Sequence, residues 1–89
     1  MKINKAIRQV MKAKNVTLST MASALGKSRS NDISARLAYD NMTVIKAIEM
    51  LNVLGYEMVI QEKRQGSRRA DQIVIDQLDY DLNELLKGE

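Results

Sequence analysis

No cysteine, histidine, proline, phenylalanine or tryptophan occurs anywhere in this chain. Without cysteine no disulfide can staple the fold, so apolar packing must hold it, and a reducing cytoplasm would suit it. Without histidine or cysteine, the usual general base and soft metal ligands are missing. No Gly-rich phosphate loop or nucleophile signature stands in for them, so no catalytic residue, cofactor or metal is expected. Asp76, Asp79 and Asp81 superficially suggest a calcium loop, but their spacing is wrong and the required glycine is lacking. No apolar run nears the ~20 residues of a membrane span. The start, Met1-Lys2-Ile3-Asn4-Lys5, carries no signal-peptide pattern. The expectation is a soluble, cytoplasmic protein with no membrane partner.

At 89 residues, the chain is short enough for one core and one domain. With 45% hydrophobic and 28% charged residues it is too apolar for a disordered segment. The net charge of +3 hides an uneven split. Residues 1–69 hold thirteen Lys and Arg against five Asp and Glu (+8), and residues 70–89 hold one Lys against six acids (−5). A basic body with an acidic tail suits a polyanionic partner, although a solvated surface accounts for charge alone equally well.

Apolar periodicity organises the chain. Ile3, Ala6, Ile7, Val10 and Met11 recur at helical spacing up to Lys14, and Asn15-Val16 breaks the run. Thr17 reads as the N-cap of a second helix with Leu18, Met21, Ala22 and Leu25 on one face, ended by Gly26. Lys27 to Asp32 is crowded with capping side chains. Beyond it Ile33 and Leu37 form a thin apolar pair, enough to dock one side of a short helix and leave the other free. Thr43 caps a fourth helix, Val44 to Leu54, which is apolar around most of its circumference and leaves Lys46, Glu49 and Asn52 as a narrow polar stripe. After Gly55, Tyr56 to Gln61 reads as a strand. A basic loop follows, Arg64-Gln65-Gly66-Ser67-Arg68-Arg69, either a solvated hairpin tip or a probe of a neighbouring phosphate or minor groove. Gln72 to Asp76 fits a return strand, with Asp79 or Asp81 capping a short helix Leu82 to Lys87. Val74, Leu78, Leu82 and Leu85 also fit one continuous helix. The predicted fold is mainly α with a small β element: a four-helix domain over residues 1–61 ending in a strand, then residues 62–89 with the basic loop, a strand or β-hairpin and a short C-terminal helix.

Three short helices, the second ended by glycine and the third preceded by caps, form a helix-turn-helix pattern. In that geometry the third helix lies in the DNA major groove, so its outer side must be small and polar. At about 100° per residue, Asn31, Asp32, Ala35 and Ala38 point away from Ile33 and Leu37. Asn31 suits a bidentate contact to adenine, Arg29 suits guanine or phosphate, and Ala35 or Ala38 suits a thymine methyl. Asp32 either accepts from cytosine or only favours the helix N-terminus through the dipole.

Residues 3–61 resemble the Cro/repressor (Xre) helix-turn-helix family of phages and bacteria. The matching pieces are Ile7 to Met11, Thr17 to Gly26, Ile33 to Leu37, Asn41 to Thr43 and Leu54 to Ile60. One extra residue separates Gly26 from Ile33, and Lys27 stands at a usually apolar turn position, which leaves the register of base contacts open by one position. The resemblance places Thr17, Ser19, Ser28, Asn41 and Thr43 near the DNA backbone. Lys27 and Ser30 join them as phosphate contacts by chemistry, since ammonium and hydroxyl groups and helix-start amides bind phosphate without reading sequence. Thr17, Ser28, Ser30 and Thr43 are N-caps on the blander reading.

The expected function is a DNA-binding transcriptional regulator, a repressor acting as a homodimer on a short palindromic operator. Ile45, Met50, Val53, Tyr56, Met58 and Ile60 are the expected dimer interface, because they supply spare apolar surface and an exposed strand. The alternative is a protein-binding module, such as an antitoxin or a phage-encoded inhibitor, using the acidic tail on a basic partner. A purely structural adaptor without DNA affinity is a third reading.

Overall fold

A computed structural model describes residues 1–27, 29–63 and 69–78. Four helices follow in order: α1 (Ile3–Ala13), α2 (Leu18–Ala24), α3 (Ser30–Ala38) and α4 (Val44–Val53). Each begins or ends where local chemistry dictates. Thr17 accepts from the Thr20 amide at 3.1 Å and Thr43 from the Lys46 amide at 3.2 Å, each satisfying one amide the helix cannot bond internally. Gly26 (φ 72°) and Gly55 (φ 77°) adopt the left-handed conformation after α2 and α4. There the Lys27 amide reaches back to the Ala22 carbonyl at 2.8 Å and the Tyr56 amide to Leu51 at 2.9 Å, closing both helices. Asn15 takes a similar conformation (φ 56°) after α1, where asparagine is better tolerated than most residues.

One core joins the helices. Ile7, Met21, Ile33, Leu37 and Met50 are the largest fully buried side chains, at least one from each helix. α3 packs on α2 and α1, and α4 packs on α1 and α2. No polar or charged residue is buried among the described residues. The C-terminal turn of α3 is tied by polar contacts instead. Asn4 Nδ2 donates to the Leu37 carbonyl at 3.2 Å, and Arg36 pairs with Glu49 of α4 at 3.1 Å.

The expected β element is not seen. Among the described residues there is no strand: Tyr56 to Lys63 carries no ladder, and Gln72 to Asp76 does not return to it. Strand propensity in Tyr56–Gln61 is of little use without a partner backbone. The 72–78 segment is drawn elsewhere, to the start of α1. The Asp76 amide donates to the Met1 carbonyl at 3.2 Å, and the Met1 amine donates to the Val74 carbonyl and the Asp76 carboxylate. Gln77 (φ 61°) accepts from the Ile3 amide at 2.8 Å and donates to the Asp40 carbonyl at 2.8 Å, bridging α1 to the α3–α4 loop. Residues 72–78 are therefore neither a hairpin strand nor part of the continuous helix. The expected helix Leu82–Lys87, its caps and most of the basic loop lie outside the described residues.

Charge also holds the N-terminal end. The hydrogen bond from Lys2 at 2.6 Å, together with its positive charge, keeps the Asp40 carboxyl below the usual carboxylate range. The N-terminal ammonium and the Leu78 amide do the same for Asp76. No helix among the described residues is long and apolar enough to cross a membrane.

Candidate nucleic-acid interface

The outward side of α3 is laid out by its two anchors. Ile33 and Leu37 are fully buried, so the residue opposite their midpoint is Ala35. Asn31, Asp32, Ala35 and Ala38 are all exposed, and nothing in the described chain covers them. Asn31 and Asp32 make no side-chain hydrogen bond among the described residues. Their donors and acceptors are left available to a ligand.

α3 starts one residue earlier than a serine cap would require. Arg29 is the N-cap residue, with an extended backbone (φ −135°, ψ 138°) and no side-chain cap bond. Ser30 is therefore the first helical residue, half-buried, and not a cap. Redundant capping residues from Ser28 to Asp32 concealed this register. Arg29 itself is exposed, and its guanidinium meets no acid among the described residues.

The predicted phosphate contacts divide. Thr17 and Thr43 use their hydroxyls as caps, which leaves the remaining early amides of α2 and α4 without side-chain partners. Ser19, Lys27 and Asn41 are exposed, and Ser28 lies outside the described residues. A depression of about 250 Å³ beside Thr17 is also lined by Arg8 and Lys12 of α1, both exposed.

A larger depression, about 400 Å³, borders α3. Lys27, Asp32, Ala35, Arg36 and Lys46 line it, so the turn before α3, α3 itself and the first turn of α4 meet there. Arg36 is largely covered and held by Glu49, and this pairing leaves Lys27 and Lys46 as the lining cations without an acid among the described residues. Sequence reasoning missed Lys46, which sits in the polar stripe of α4, and missed the Arg36–Glu49 pair. Thirteen residues apart on different helices, that pair leaves no periodic signal.

The expected dimer residues are not brought together as one surface. Met50 is fully buried, packed in the core with Ala47 and Leu54, so it is unavailable to a partner. α4 is apolar nearly all round, and its periodicity alone does not choose which stripe docks. Packing chose Ala47, Met50 and Leu54, leaving Val44 (62% exposed), Ile45 (72%) and Ile48 outside. Val53 and Tyr56 are half-buried against the core. Ile60, fully exposed, and Met58 stand in the segment after α4.

Among the described residues no group of three or more Asp or Glu side chains gathers to hold a metal ion. No protein-family model, curated protein or solved structure matches this chain.

Proposed function

We propose that this protein is a sequence-specific DNA-binding regulator of the helix-turn-helix type, a binding protein and not an enzyme, working in a reducing cytoplasm. One observation carries the reading. A short helix, α3, buries only Ile33 and Leu37 and, among the described residues, leaves a small, polar, uncovered flank at Asn31, Asp32, Ala35 and Ala38. That flank matches what the major groove admits: side chains that pair with base edges, and methyl groups that touch thymine. Lys27 and Arg29, at the start of the same helix and without an acid among the described residues, supply the charge that phosphates attract.

One such module reads only a few base pairs, so the reading includes a homodimer on a palindromic operator, with repression by occupancy. Exposed Ile45, Met58 and Ile60 are the apolar side chains that favour a protein partner, and a second copy is the partner proposed. A protein-binding module is the competing reading, favoured by the same exposed residues.

The test is binding to a random-sequence duplex over a salt series. A regulator loses affinity steeply as salt rises, because each neutralised phosphate releases counterions. A protein-only module shows no such binding, and that result would discard the reading. With a selected site in hand, Asn31→Ala should relax preference at one base of each half-site, whereas Lys27→Ala should weaken all sequences alike.

A further inference from the structure

The depression beside α3 combines charges in a way that a simple anion site would not. Lys27 and Lys46 converge on it from different elements, and neither meets an acid among the described residues. Asp32 lines the same depression with its side chain exposed and its carboxylate without a partner among the described residues. It is not consumed as a cap, since only its backbone amide bonds locally, to the Arg29 carbonyl at 3.2 Å. A free phosphate drawn in by the lysines would be repelled by this carboxylate. A ligand presenting phosphates at its edges and amino donors between them satisfies all three groups. The major groove of a duplex does this wherever cytosine N4 or adenine N6 faces outward. Ala35, with only a methyl group, leaves room for the base edge.

We infer that Lys46 together with Lys27 holds duplex phosphates while Asp32 accepts from an exocyclic amino group, which makes Asp32 a specificity-determining residue. The inference rests on the DNA-binding reading and adds to it a phosphate contact from α4 and a sign for Asp32. Its carboxylate opposes binding to most sequences and favours the one that offers a donor there.

The test measures anisotropy of random-sequence and selected duplexes over a salt series, with the intact protein and the variants K46Q and D32A, the second removing both the charge and the acceptor. Both replaced side chains are exposed, and helical melting curves check that each variant folds. K46Q should reduce the log–log salt slope by about one and weaken every sequence alike. D32A should tighten binding to random duplex and lose about tenfold of preference at one base pair per half-site. An unchanged slope in K46Q, or an intact preference in D32A, overturns the inference while wild-type binding keeps the wider reading. Absence of wild-type affinity for any duplex at low salt overturns both.

Discussion

Replacing Met50 by alanine separates the core of α4 from its outer face. Met50 is fully buried among residues of the other helices, so truncation removes its whole apolar contribution and leaves a cavity. Such a change costs about 2–5 kcal/mol. Stability of roughly 0.05–0.15 kcal/mol per residue gives a chain of this length about 4–13 kcal/mol in all, so the loss is a large fraction of it. Each kcal/mol shifts the midpoint by roughly 4–8 °C in a domain of this size, which places Met50→Ala about 10–40 °C below wild type. Ile45, on the opposite stripe and 72% exposed, should behave differently. Its alanine variant should stay within about 0.5 kcal/mol of wild type in dilute solution. Urea unfolding followed by helical circular dichroism reads both, with an unchanged slope against denaturant showing that the unfolded state is the same. If Met50→Ala melted with wild type, or if Ile45→Ala proved the more damaging in dilute solution, the orientation of α4 would be wrong.

Other expectations follow from single contacts. Gly26→Ala should destabilise by about 1 kcal/mol in thermal melts, because φ is 72° there and no neighbour lies close enough to the added methyl group to matter. Thr43→Ala should lose about 1 kcal/mol through the missing cap to Lys46, and Thr43→Ser should recover most of it. Asp40 and Asp76 are held below the usual carboxylate range, so their contribution is present above that range and is lost as pH falls through their folded values. An acid titration of stability should therefore be shallower in an Asp40→Asn, Asp76→Asn double variant, and an identical profile would contradict the assignment.

Much of the helical frame is legible in residue order because its signals are local. Thr17, Thr43, Gly26 and Gly55 each act within one turn of themselves, and the Ile33–Leu37 pair orients α3 without reference to anything distant. The same holds for the outward flank at Asn31, Asp32, Ala35 and Ala38, whose exposure follows from those two anchors. Met50 was misassigned for the opposite reason: an evenly apolar helix has no preferred face until its neighbours are placed. No strand is seen among the described residues, because the strand-like composition of Tyr56 to Gln61 is not enough: pairing depends on another segment. Residues 72–78, the natural candidate, are held instead by the start of α1, through contacts spanning more than seventy residues of chain, and by the Gln77 bond to Asp40. Lys46 carries no functional signal in the sequence, since a charge in a polar stripe looks solvated until the fold brings Lys27 and Asp32 to the same depression.

The exposed flank of α3 is tested most directly at its centre, by Ala35→Glu. A carboxylate there should leave the melting curve within about 0.5 kcal/mol of wild type, since the site is exposed on a helix and glutamate is a good helix former. Duplex binding at low salt should be abolished by the added bulk and negative charge. Unchanged duplex affinity in a normally folded Ala35→Glu protein would show that this surface does not meet DNA.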